Sequence, residues 1–93
     1  MQKRNRLQII HDILKTIQDK DGRIKRTHIL YKSNLSYQML DDYLKWLIKE
    51  GFVIEKSGRT NAYLLTVKGH TYLSKYKFIT DFMETFGLND RED

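Results

Sequence analysis

The side chains with chemical reach in this sequence are suited to holding a partner rather than to breaking bonds. His11, His28 and His70 lack the spacing of metal ligands, and no cysteine accompanies them. Asp41 and Asp42 are adjacent in a helical stretch, so their carboxylates diverge and cannot work as an acid and base couple. The five glycines are scattered, without a phosphate-binding loop, and there is no nucleophile elbow and no HExxH motif. The expectation is therefore a protein that is not an enzyme, with no cofactor, no metal and no evident small-molecule ligand.

Charge and hydrogen-bonding capacity remain. Seventeen Lys and Arg against twelve Asp and Glu leave a formal charge of +5, and the distribution is uneven. Residues 1–35 carry nine basic and three acidic side chains, whereas residues 67–93 carry four basic and five acidic. The excess sits in the first third, which favours a side that faces a polyanion.

The elements that must position these groups follow from periodicity. Leu7, Ile10, Ile13, Leu14 and Ile17 recur at helical spacing, predicting a first helix from about residue 3 to residue 19 that ends in the turn composition of 19–22. A short second helix over about 26–32 turns Ile29 and Leu30 inward. Ser36 then suits an N-cap, because its hydroxyl can accept from the free amides of the next turn. The third helix places Leu40, Tyr43, Leu44 and Leu47 on one face and Gln38, Asp41, Asp42, Lys45 and Lys49 on the other, with Gly51 as its stop. Two β-prone runs, 52–56 and 62–66, flank a five-residue loop and read as a hairpin. Thr66 can cap a last helix from Val67 to about Phe86, ended by Gly87.

The order helix, helix, helix, strand, strand, helix reads as an α+β, mostly helical chain in a winged helix-turn-helix arrangement: three helices, a two-stranded hairpin wing and a long C-terminal helix. In that arrangement the third helix is the recognition helix, and the expected partner is double-stranded DNA. Ser36, Tyr37 and Gln38 are placed to reach base edges, Gln38 by bidentate pairing with adenine, and Lys45 shares their exposed face. Arg26 and Lys32 flank the second helix, Arg4 and Arg6 can form a basic arm, and Lys56 with Arg59 arms the wing. Carboxylates at 41 and 42 weigh against base reading unless a cation satisfies them.

Two segments carry a resemblance. The run from Ile29 through Ser33-Asn34-Leu35-Ser36-Tyr37, followed by Leu40, Tyr43, Leu44, Leu47 and Gly51-Phe52-Val53, resembles the helix-turn-helix of small archaeal winged-helix DNA-binding proteins. The stretch Tyr63-Leu64-Leu65-Thr66-Val67-Lys68-Gly69, with Leu73 beyond it, resembles the wing-to-last-helix junction of winged-helix regulators. The resemblance covers nearly the whole chain. It implies non-catalytic DNA binding by a transcription regulator or a chromatin-associated protein, and pairing through an antiparallel coiled coil of C-terminal helices. The last helix here is short for such a coiled coil.

The last helix supports pairing on its own terms. Tyr72, Tyr76, Ile79, Met83 and Phe86 follow the spacing of a coiled-coil seam, and Phe78 and Phe82 add a second apolar stripe. A homodimer through this helix is the expectation, with folding back over the first helix as the alternative. The chain thus divides into a DNA-binding core, 1–66, a dimerisation helix of the same domain, 67–88, and a polar tail, 89–93. No apolar run is long enough to span a bilayer, and a cytoplasmic, nucleoid-associated location is expected. The competing reading is a winged-helix module for protein association without DNA.

Overall fold

In the computed structural model, which describes residues 3–58 and 62–88, six elements follow in the expected order. They are α1 (Arg6–Lys20), α2 (Arg26–Ser33), α3 (Tyr37–Lys49), β1 (Val53–Lys56), β2 (Ala62–Leu65) and α4 (Val67–Thr85).

Local chemistry sets most of these boundaries. α1 begins at Arg6 rather than near residue 3, because Asn5 forms a capping box: its side chain accepts from the Gln8 amide while the Gln8 side chain accepts from the Asn5 amide. Asp21 at φ 50° and Gly22 at φ 81° then turn the chain away. A Cβ at Gly22 would also meet the end of the Leu64 side chain, which would have to shift, but it is the left-handed backbone that favours glycine at this turn. Asn34, at φ 53°, ends α2. Ser36 caps α3 by accepting from the Met39 amide, as its position in the sequence implies.

The hairpin pairs Val53 with Leu65 and Lys56 with Ala62 in an antiparallel register. Ile24 adds a bridge to Tyr63, so the segment between α1 and α2 lies along the free side of β2. A two-stranded hairpin is marginal alone. Here its inner residues, Val53 and Tyr63, enter the same core as Ile10, Ile13, Leu14 and Ile17 of α1 and Leu40, Leu44 and Leu47 of α3. Each such aliphatic side chain contributes about 1.5–3 kcal/mol on full burial. Leu7 departs from the expected inward face of α1 and is 58 % exposed, while Ile9, outside the sequence-level face, is buried.

The junction into α4 is tightly specified. Thr66 accepts from the Gly69 amide at 3.1 Å as N-cap, donates its hydroxyl proton to the Gly51 carbonyl, and donates its own amide to the Phe52 carbonyl at 3.1 Å. A Cβ at Gly69 would collide with that same Phe52 carbonyl. The Thr-x-x-Gly spacing therefore lets the start of α4 sit directly on the strand entry. Farther along, Leu73 reaches the core, but Phe78, Ile79, Phe82 and Phe86 are exposed. The molecule measures 48 × 28 × 21 Å.

Candidate nucleic-acid interface

α3 has two unlike sides. Leu40, Leu44 and Leu47 are fully buried, whereas Ser36, Tyr37, Gln38, Asp42, Lys45 and Lys49 are exposed. Tyr37, at 65 % exposure, stands free on the first turn. Ser36 spends one lone pair on its cap and keeps a hydroxyl proton to donate. Gln38 is partly engaged, its amide nitrogen donating to Asp42 at 3.0 Å.

Of the two carboxylates that the sequence sets on this helix, Asp41 is neutralised, while Asp42 is exposed and takes part in no ion pair among the described residues. Asp41 accepts from the Arg26 guanidinium at 2.7 Å and pairs with the Lys45 ammonium at 2.9 Å. Lys45 first, and then Arg26, hold the Asp41 carboxyl below its ordinary range. In return, the bond to Asp41, followed by that to Tyr63, holds Arg26 firmly protonated. Arg26 also donates Nε to the Tyr63 hydroxyl at 3.3 Å, and Tyr63 donates onward to Glu55 at 3.1 Å. Burial pushes the Tyr63 phenol up, so it keeps the proton it donates. One network thus joins α2, α3 and both hairpin strands. Tyr63 and Glu55 were not among the sequence-level candidates; a tyrosine in a short strand gives no sign of which helix its hydroxyl will meet.

The remaining cations divide sharply. Arg4 is a clamp rather than a loose arm: Nη1 donates to Asp12 and to the Ser33 carbonyl, each at 2.7 Å, and Nη2 donates to the Asn34 carbonyl at 3.0 Å. It satisfies acceptors at the C-terminus of α2, where positive charge is favoured. Arg6 lies 4.6 Å from the Trp46 ring and 5.4 Å from the Tyr43 ring, in cation–π contact with both. Lys32 and Lys56 are exposed, and neither takes part in an ion pair among the described residues. Arg59 lies outside the described residues.

The expected dimerisation seam also divides. Tyr72 and Tyr76 are half-buried: the Tyr72 hydroxyl donates to the Leu7 carbonyl at 2.7 Å, and Tyr76 stacks on His11 at 4.3 Å. They belong to a row of rings running from Trp46 through Phe52 and Tyr72 to Tyr76. Burial, then the neighbouring Tyr76, pushes the Tyr72 phenol up to about 12. Met83 is half-buried, and Ile79, Phe82 and Phe86 are exposed. Two of the three histidines make local contacts: His11 stacks, and His70 meets Gln18 at 3.2 Å. Among the described residues no group of side chains is arranged to hold a metal, and no helix is long and apolar enough to cross a membrane.

Comparison with known proteins agrees with this geometry. A family model described as winged helix-turn-helix matches residues 3–84. An uncharacterized protein of Methanocaldococcus jannaschii is 34 % identical over 73 residues, which is 78 % of this chain and 32 % of that protein. The chain therefore spans about a third of that relative's length. Among solved structures, Sso10a-2, a DNA-binding protein from Sulfolobus solfataricus, superposes with a TM-score of 0.76 at 23 % identity, covering 89 % of this chain and 85 % of that one. SSV1 F-93 superposes at 0.66 with 26 % identity, covering 84 % and 91 % of the two chains. AF1382 from Archaeoglobus fulgidus superposes at 0.70 with 21 % identity, covering 92 % and 93 %.

Proposed function

Since the chain belongs to the winged helix-turn-helix family, we propose that it binds double-stranded DNA, with α3 in the major groove and the hairpin as a wing alongside. The observation that carries this reading is the free first turn of α3, where Tyr37 and Gln38 stand exposed while the back of the helix is fixed in the core. The likeness to Sso10a-2, itself a DNA-binding protein, supports it. Neutralisation of Asp41 by two cations removes one of the two carboxylate objections to a phosphate-lined groove, and Asp42 remains as the other. Lys32, Lys45 and Lys56 are the groups we assign to phosphate, and Ser36, Tyr37 and Gln38 to the groove floor. Arg4, Arg6 and Arg26 hold the helices that present them.

We further propose a homodimer formed by the outer half of α4, with Ile79, Phe82, Met83 and Phe86 in the seam and Tyr72 and Tyr76 at its inner edge. A two-fold pair would offer two recognition helices to successive faces of the duplex. A regulator and an architectural chromatin protein differ in selectivity, and either role implies association with the nucleoid. Gel shifts on random and genomic duplexes at two salt concentrations test the reading: selective retention marks a regulator, and uniform, strongly salt-dependent retention marks an architectural protein. Absence of binding at low salt overturns the DNA reading in favour of a protein-association module.

A further inference from the structure

A groove of about 400 Å³ opens where the start of α1, the entry to β1 and the first half of α4 meet. Its walls are Leu7, Phe52, Tyr72, Tyr76 and Ile79, and almost nothing polar faces into it. Two ammonium groups, Lys68 and Lys75, edge it, and among the described residues no carboxylate lines it. The volume is at the small end of the range that holds compact organic ligands.

The walls are pre-organised. The Tyr72 hydroxyl is tied to the Leu7 carbonyl, so that its ring lies across the groove with its polar end already satisfied. Tyr72 meets Tyr76 in a stacked arrangement at 6.2 Å and Phe52 edge-on at 6.0 Å, leaving aromatic faces and edges that suit another ring. Lys68 is held over the Phe52 ring at 4.5 Å by donating to the Glu50 carbonyl at 2.7 Å. That bond uses one of its three protons, so two remain for an anion. Lys75 is exposed and has no ion-pair partner among the described residues.

We propose that this groove is a binding site for a small aromatic acid, its ring against Phe52, Tyr72 and Tyr76 and its anionic head between Lys68 and Lys75. The apolar floor selects the body of the ligand and the cationic rim selects its charge. A neutral ring would lose the rim contacts, and an unsubstituted inorganic anion would find no hydrogen-bond donors on the floor. The occupant would rest on Phe52 and Lys68, the residues that follow and cap the C-terminal end of α3. The site lies at the inner edge of the proposed α4 seam and shares Ile79 with it, which is why sedimentation accompanies the titration; it does not depend on the DNA reading, and its test uses no DNA.

The experiment is a fluorescence titration of the full chain with anilinonaphthalene sulfonate, an aromatic ring system bearing one anionic group, and with its uncharged counterpart phenylnaphthylamine. Sedimentation is measured on the same samples. Saturable binding of the anionic probe at one site per chain is expected, about tenfold tighter than the neutral probe. Lys75→Glu and Leu7→Glu, both at exposed positions, should weaken the anionic probe by about tenfold. Phe78→Glu, at an exposed position of α4 outside both the groove and the proposed seam, should leave it unchanged, and melting curves confirm that all three variants fold. Equal affinity for the two probes overturns the anion selectivity. Sensitivity to Phe78→Glu without sensitivity to Leu7→Glu moves the probe to the exposed stripe and overturns the site. Absence of probe binding, with Leu7→Glu or Lys75→Glu converting a dimer to a monomer, makes a second copy of the chain the occupant and overturns the ligand proposal.

Discussion

Arg4, Arg6 and Arg26 stand at seams between elements, whereas Lys32, Lys45 and Lys56 stand on the outer rim of the helix-turn-helix and hairpin. Both sets carry the same charge, and by composition alone they contribute equally to a basic surface. Their surroundings differ. Each arginine meets acceptors or rings of its own protein: two carbonyls and a carboxylate for half-buried Arg4, a carboxylate and a phenol for half-buried Arg26, and two aromatic rings for Arg6, which stays exposed. A planar guanidinium with five donors can bridge several fixed acceptors at once, while a hydrated ammonium on a flexible stem gains little from doing so. Arg4 and Arg26 are tied into the scaffold, whereas Lys32 and Lys56 are exposed and take part in no ion pair among the described residues. Lys45 belongs to both sets, since its ammonium pairs with Asp41 yet its side chain is 73 % exposed.

That contrast can be broken by substitution. The largest effect on stability is expected from Arg4→Ala, which leaves the Ser33 and Asn34 carbonyls without their donor. After allowance for partial exposure the loss is about 1–2 kcal/mol, read as a lowered denaturation midpoint. The salt dependence of DNA binding should be unchanged, and a flatter salt slope in this variant would place Arg4 among the phosphate contacts.

Asp41→Asn should act next, and through pH. The folded-state pKa of Asp41 is lowered by Lys45 and Arg26, so the carboxylate contributes stability above its unfolded value near 3.8 that is lost as pH falls through the lowered folded value. The variant should therefore be less stable at neutral pH and lose less on acidification below about pH 4. Parallel acid-denaturation curves for variant and parent would show that the pair adds nothing.

The smallest effect on stability belongs to Lys32→Ala with Lys56→Ala, expected to change it by less than about 0.5 kcal/mol. In DNA binding the order reverses. The slope of log affinity against log salt should flatten by about 0.9 for each lysine that contacts phosphate. An unaltered slope would remove both from the interface and confine the electrostatic surface to the remaining cations.

Much of the frame was legible because it is local. Ser36 and Thr66 read as caps, Gly51 and Gly87 as stops, and the spacing of Leu40, Leu44 and Leu47 as a buried face, since these signals act within one or two turns of chain. The Asn5–Gln8 capping box was equally local and marks the start of α1 three residues later than periodicity alone suggests. The seam on α4 was legible as a run of apolar residues but not in its use: spacing cannot tell a ring that stacks on its own α1, as Tyr76 does, from one left exposed, as Phe86 is.

What this chain's sequence determined by itself was the order of its elements, their capped ends, their inward faces and the concentration of positive charge in the first third. Tertiary structure alone decided which of those charges are available. It joins Arg4 to a carbonyl 29 residues away and Arg26 to a phenol 37 residues away, and it assembles the aromatic groove from segments that never adjoin in the chain. Short-range backbone preferences are written into neighbouring residues, whereas the partner of a long side chain depends on where distant segments come to rest.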